Sequence, residues 1–365
     1  VIHFKHTLQE VRDHEGFKNM PENMRVDLAL TLVEASRFQK IDWKKLAVAL
    51  AKEVAHGLNN RYVRYCIAAR DSLLYRITGH YTQAVHVIET TLDPTQHRLD
   101  IDMMAHVAAG YLHVQRAMNY FQNEQLAMSL KALDAWQPLQ DTPAEKAVLF
   151  HINILRGRIL RFQGKFHESL ACLKKYEHFD DLLFGDELCD LTCEIADTLR
   201  ELDDPVHGEQ LLRRQLARQE QALSSKLLLK LSLAESLFAQ GKFAEAEALC
   251  SDVKSQRLSK MGNLRLCITL AKLRHIEGDW EGAFECWTKA LVAMSKFPPT
   301  SGLATRTIYL SICDVLRRQG FQELELNSRK ELATLERVSM HSEAKHWIPG
   351  FRHWLITLRP KEPSE

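Results

Sequence analysis

A few groups of residues in the chain have the types and spacing that chemistry would need. Cys189 and Cys193 stand four apart on one helical face, where two thiolates could share a zinc ion. A metal site would need further ligands, and His178 is a distant one. The pair therefore reads as two small apolar side chains facing a neighbouring helix. His106 and His113 lie two helical turns apart, with no carboxylate or cysteine at matching spacing. His346 and His353 flank Pro349-Gly350 and read as surface or cap packing. Asp203 and Asp204 are adjacent in a turn, where they suit capping of a helix led by Pro205 better than acid/base catalysis.

Longer signatures are missing. The chain has no Gly-x-x-x-x-Gly-Lys-Ser/Thr phosphate loop, since Gly164-Lys165 and Gly241-Lys242 lack the upstream glycine. It also has no Gly-x-Gly-x-x-Gly, no His-Glu-x-x-His and no Gly-x-Ser-x-Gly. No catalytic residue, metal ligand or cofactor is assigned from the sequence.

Composition sets the class. The chain has 365 residues, 45% hydrophobic and 26% charged, as in a folded globular protein. A net charge of +1 gives no general pull toward nucleic acid or an acidic membrane. The 17 histidines would make the surface more positive below about pH 6.5. No apolar run approaches the roughly 20 residues of a membrane span. The first residues, Val1 to Gly16, lack the apolar core of a signal peptide, and no initiator Met is present. That start reads as a processed chain or a piece of something longer. Eight scattered cysteines and the lack of any Asn-x-Ser/Thr sequon suggest a reducing, intracellular setting, cytoplasm or nucleus.

The elements that must position these residues repeat. The clearest unit is Leu227–Cys250, LLLKLSLAESLFAQGKFAEAEALC. Leu229, Leu233, Ala234 and Leu237 recur at helical spacing, Gly241 ends that helix, and Phe243 opens a second with Ala246, Leu249 and Cys250. Gly164-Lys165-Phe166 with Ser169, Gly278-Asp279-Trp280 with Ala283, and Gly79-His80-Tyr81 with Ala84 repeat it. Each has Gly-x-aromatic and then a small residue three positions on, where two helices cross closely. Weaker turns fall near Asn123, at Asp203-Asp204-Pro205 and at Gly320. The spacing is a loose period of roughly 40 residues, each unit an antiparallel helix pair.

The turns and small-residue positions resemble tetratricopeptide repeats (TPR) over most of residues 60–335, most closely at 228–253 and 264–291. The period exceeds the usual 34, and Lys230, Cys267 and Asn153 stand where the early aromatic of the first helix is expected. The longer period looks like the variants in kinesin light chains and in sensor regions of large nucleotide-binding signalling proteins. The resemblance implies an all-α, right-handed superhelical solenoid of antiparallel helix pairs. Its organisation would be a helical cap or degenerate repeat over 1–60, repeats over 61–335, and a capping element and tail over 336–365. Residues 22–57 suggest two helices, with Asp42 capping the second and Trp43 near its start. Ala246 should tolerate no bulky replacement.

In such a stack the first helix of each pair lines a concave groove. Counting from the turns places His113, Tyr120, His151, Arg158, Arg161, Asp190, Asp197, Arg200, Leu228, Leu231, Glu235, Phe238, Arg265, Lys272, His275, Asp314 and Arg317 there. The groove would carry basic patches at Arg158/Arg161 and Arg265/Lys272 around an apolar patch at Leu231/Phe238. That pattern suits a protein or peptide ligand with an apolar anchor and acidic flanks. Modules that clamp a chaperone's terminal carboxylate use a set of Lys, Asn and Arg that Leu231, Glu235, Ile268 and Lys272 do not match.

The expected function is a non-catalytic protein–protein interaction scaffold, or a sensor or regulatory module. The alternative is an enzyme using the groove, with Tyr120, His113, His151 and Arg158 converging. Nucleic-acid binding through the arginine patches is disfavoured by the net charge.

Overall fold

The computed structural model describes residues 19–36, 41–92, 102–123, 125–175, 185–218, 222–256, 258–294, 302–323, 325–327 and 329–330. Among them there is no strand. The expected C-terminal capping element, His346/His353, His178 and the Pro298-Pro299 loop lie outside the described residues.

The chain opens with α1 (Glu22–Ala35) and α2 (Ile41–Val54), the two helices expected over 22–57. Asp42 sits inside the first turn of α2 and is not its cap, although a carboxylate there still favours the positive helix end. Pairs then follow at the expected positions. They are α3 (Arg61–Ile77) with α4 (Tyr81–Thr91), α5 (Met103–Gln122) with α6 (Leu126–Asp134), and α7 (Pro143–Phe162) with α8 (Phe166–Lys174). Next come α9 (Gly185–Glu201) with α10 (Pro205–Leu216), α11 (Leu223–Ala239) with α12 (Phe243–Lys254), and α13 (Lys260–Glu277) with α14 (Trp280–Met294). Last is α15 (Gly302–Arg318).

One kind of hydrogen bond closes seven of the turns among the described residues. The N–H just past the turn reaches a carbonyl five residues back: His80 to Tyr75, Gln125 to Tyr120, Lys165 to Leu160, Asp204 to Leu199, Lys242 to Leu237, Asp279 to Arg274 and Phe321 to Leu316, at 2.8–3.0 Å. This closure needs a left-handed residue after the helix, which is why glycine marks it. Gly241 has φ 76°. Where no glycine is present, Asp203 takes φ 58°, a conformation that aspartate tolerates better than most residues. Asp204 then accepts the N–H of His207 at 3.2 Å, with Pro205 opening α10, as expected.

The chain forms two compact units, divided within α7 between Leu155 and Arg156. In the first, α1 packs on α2 and α3, α3 on α4 and α5, and α5 on α6. Its core includes Ala29, Val48, Ala51, Val63 and Ile67. In the second, α9 and α11 each meet their own partner and the next first helix, so that α9, α11 and α13 lie side by side. Leu229, Leu233, Ala234, Leu237, Ala246 and Cys250 form its core with Cys189 and Cys193. The two cysteines are therefore packing residues, and burial pushes the Cys193 thiol well above its ordinary range.

The small residues after the turns are where helices touch. Ala84, Ser169, Ala246 and Ala283 are all fully buried. Ser129 and Ser169 each donate a 2.7 Å hydrogen bond to the first helix of their pair, at the carbonyls of Ala117 and Gly157. A Cβ on Gly157 would lie 2.7 Å from Leu173, so the first helix is pared down too. Ala246→Leu is expected to lose about 1–3 kcal/mol through overpacking. A urea denaturation midpoint unchanged from wild type would show that this crossing has room to spare.

Candidate functional site

In the second unit a face is built from one helix of each successive pair. It carries Arg158 and Arg161 on α7, Glu194, Asp197 and Arg200 on α9, Ser232 and Glu235 on α11, and Arg265 on α13. Arginine on one helix meets carboxylate on the next. Glu194 accepts Arg158 through Nε at 2.8 Å and Nη2 at 2.5 Å, and Arg161 through Nη2 at 2.6 Å. Asp197 takes Arg161 Nη1 at 3.2 Å, Arg200 at 2.8 Å, Arg265 at 3.0 Å and the Ser232 hydroxyl at 3.0 Å. Glu235 takes Arg200 at 2.6 Å and Arg265 twice, at 2.9 and 2.7 Å. The result is a continuous ladder of planar, bidentate-capable groups, the geometry for which guanidinium is suited.

The ladder decides its own protonation. Burial pushes the Asp197 carboxyl up, but Arg265, Arg200 and Arg161 outweigh it and hold the group far below the usual carboxylate range. Glu194 and Glu235 are lowered for the same reason, with burial opposed by Arg158 and Arg161 in one case and by Arg265 and Arg200 in the other. Asp190, on the same helix, goes the other way: burial wins over Arg158 and its carboxyl is raised.

These contacts correct the expected groove in two respects. Arg158, Arg161 and Arg265 are not free basic patches, because each is matched to carboxylates one helix away. Four guanidiniums face three carboxylates, so the face is close to neutral. Leu231 is not a surface anchor either. It is 0% exposed, because α11 is held between its pair partner and two flanking first helices.

Beside the ladder, Phe238 is half-buried against Phe243 at 5.4 Å between ring centres, and the exposed Lys272 places its Nζ 6.0 Å from the Phe238 ring. His275 reaches Asp314 at 3.1 Å and stands edge-on to Trp280 at 5.2 Å. Asp314 also receives Arg317 and Arg318, and Arg318 lies 5.0 Å over the Trp280 ring.

Leu228 packs against the core of the second unit, and His113, Tyr120 and His151 lie in the first unit with partners of their own. His113 is buried, with Arg116 Nη2 3.2 Å from its Nδ1. Tyr120 donates to Glu89 at 2.8 Å. His151 packs against Tyr111 at 5.6 Å and Phe150 at 5.4 Å. His106 stacks on Trp136 at 5.1 Å, and Glu145 lies 3.6 Å from its Nε2. Among the described residues no group of three or more His, Cys, Asp and Glu is placed to hold a metal. No described helix is long and apolar enough to cross a membrane.

Sequence reasoning missed Glu194, the residue that ties Arg158 to Arg161. Asp197 is the position one repeat after Arg158, by the 39-residue step between the turn closures at Lys165 and Asp204, and Glu194 lies about one helical turn before it.

No family model and no curated protein matches the chain. Among solved structures it is similar to a Rap protein crystallised in complex with Competence and Sporulation Factor. The TM-score is 0.55 at 11% identity, over 92% of this chain and 98% of that one. At that identity the likeness concerns the fold: this chain is a TPR-like helical repeat protein.

Proposed function

We propose that the chain is a non-catalytic interaction module, either a scaffold or the sensor or regulatory region of an intracellular signalling protein. It binds a peptide or protein segment on the face of α7, α9, α11 and α13, with residues 61–335 as the repeat array between two capping regions. The observation that carries this reading is the ladder. It is a pre-ordered row of guanidinium and carboxylate groups whose side chains are 9–29% exposed, and it runs past an apolar step at Phe238 and Lys272. A fold shared with a protein solved as a complex with a second factor supports it.

The ladder also refines the ligand. A strongly acidic flank would have to displace Glu194 or Glu235 from arginines that already pair with them. A segment of mixed polarity, able to donate to carboxylates and accept from guanidiniums, fits better, with an aromatic or aliphatic anchor on Phe238.

Peptides selected from a displayed random library on the purified chain test this. Phe238→Ala/Lys272→Glu is expected to weaken them at least roughly ten-fold, the size of one lost anchor. Phe238→Ala gives up some packing on Phe243, so binding is compared at a temperature where circular dichroism shows the variant folded. Lys272→Glu alone, at an exposed position, should melt close to wild type and still weaken binding. Selected peptides that bind the variant and the wild type equally, or turnover of a small molecule by the chain, would overturn the reading.

A further inference from the structure

The first unit holds a feature that the ladder does not use. Between α2, α3 and α4 lies a cavity of about 460 Å³. That is within the roughly 300–1,000 Å³ of sites for small molecules. Its apolar wall is Ala55, Ile67 and Ala68, all buried, with Val87 beside them.

The polar lining is lopsided. Lys52 Nζ lies 2.5 Å from Asp71 Oδ2, so the one carboxylate of the lining is already neutralised. Arg64 is exposed at the cavity and makes no ion pair among the described residues. His86 also lines it. The hydroxyls of Thr90 and Thr91 are spent as donors on backbone carbonyls of their own helix, at 2.9 and 2.7 Å to His86 and Val87, which leaves their lone pairs as acceptors. The site thus offers one uncompensated guanidinium, an imidazole, two acceptor oxygens and an apolar wall.

We infer that this cavity binds a small organic anion. The ligand would carry a carboxylate, sulfonate or phosphate to meet Arg64, and an apolar body to lie on Ile67 and Ala68. Arginine suits the anion because its planar fork can meet two oxygens at once. The apolar wall disfavours a bare inorganic ion, which would leave that surface uncovered. Nothing in this inference depends on peptide binding by the second unit, and either can fail alone.

The probe is 1-anilinonaphthalene-8-sulfonate, an aromatic body bearing one anion, with uncharged N-phenyl-1-naphthylamine as its control and inorganic phosphate as a competitor. Saturable binding at one site per chain is expected by fluorescence titration of the full chain. Arg64→Glu should weaken it roughly ten-fold or more, the size of one charge-assisted hydrogen bond. Arg64→Lys should recover part of the loss. The uncharged control should be insensitive to Arg64→Glu. Thr90→Trp, at an exposed rim position, should block the cavity and abolish binding without touching the core. Phosphate should compete only weakly. Sulfonate binding that is unchanged in both Arg64→Glu and Thr90→Trp would overturn the assignment. So would an equal loss for the charged and uncharged probes in Arg64→Glu.

Discussion

Asp197→Ala is expected to destabilise the second unit by about 3–5 kcal/mol, the range for removing one partner of a buried ion pair. The reason lies less in the lost bonds than in what they leave behind. Asp197 accepts from Arg161, Arg200 and Arg265, and from Ser232, so four successive first helices converge on one carboxylate. Without it, seven charged groups become four guanidiniums against Glu194 and Glu235. Asp197→Asn keeps the volume and is expected to behave almost as badly, because the charge is what is missing.

Two measurements separate this from a packing effect. Hydrogen exchange along α9, α11 and α13 should lose protection together. The double variant Asp197→Ala/Arg265→Met should be less destabilised than the sum of the two single changes, since it removes a cation along with its counter-charge. Additivity in that cycle, or a loss below about 1 kcal/mol, would show that the ladder is only a surface ornament.

The sign with pH follows. Folding holds the Asp197, Glu194 and Glu235 carboxyls below their unfolded values. Their contribution is complete above the unfolded carboxylate range, and it is lost as pH falls below about 4 toward their folded values.

The turns could be read from the sequence because left-handed backbone is a local demand. Gly79, Gly164, Gly241, Gly278 and Gly320 meet it with no side chain, and each takes positive φ. The small residues three positions past the aromatics could be read for a similar reason, since a close helix crossing excludes anything larger. The ladder is different. Arg158 and Arg265 look like free bases when their own helices are read alone. Their neutralisation depends on Glu194, 36 residues from the first, and on Glu235, 30 residues from the second. Comparing positions one repeat apart leads from Arg158 to Asp197, and Glu194 is found only by also counting one helical turn back from it, which reading along one helix does not suggest. Leu231 failed for another reason. Distance from the turn gives an angle around the helix, whereas burial depends on how many neighbours surround it, and α11 has neighbours on nearly every side.

Glu145→Ala should cost the first unit about 1–3 kcal/mol, and no part of it was visible as a site. Glu145 is 0% exposed and closes the loop before α7. Its Oε1 accepts the N–H of Leu139 at 2.7 Å, and its Oε2 accepts the N–H of Gln140 at 3.1 Å and the hydroxyl of Thr142 at 2.9 Å. The Thr142 hydroxyl in turn accepts the Glu145 N–H at 3.2 Å, a reciprocal capping box with Pro143 opening the helix. Truncation leaves the N–H groups of Leu139 and Gln140 without their acceptor and removes the cap of α7, and each lost partner costs about 1–3 kcal/mol where water does not replace it. Burial alone would raise this carboxyl, but the N–H groups of Leu139 and Gln140 and the Thr142 contacts outweigh it, and the net shift is downward. The stabilisation is therefore present above the ordinary glutamate range and fades as pH falls through it and below. Thermal melts of wild type, Glu145→Gln and Glu145→Ala at pH 7 and at about pH 3 test both claims. The wild type should lead at neutral pH and lose most of its margin over Glu145→Gln in acid, where a protonated carboxyl and an amide are nearly equivalent acceptors. A margin that is small at pH 7, or that survives acid unchanged, would mean that the loop holds itself and the carboxylate merely lies against it.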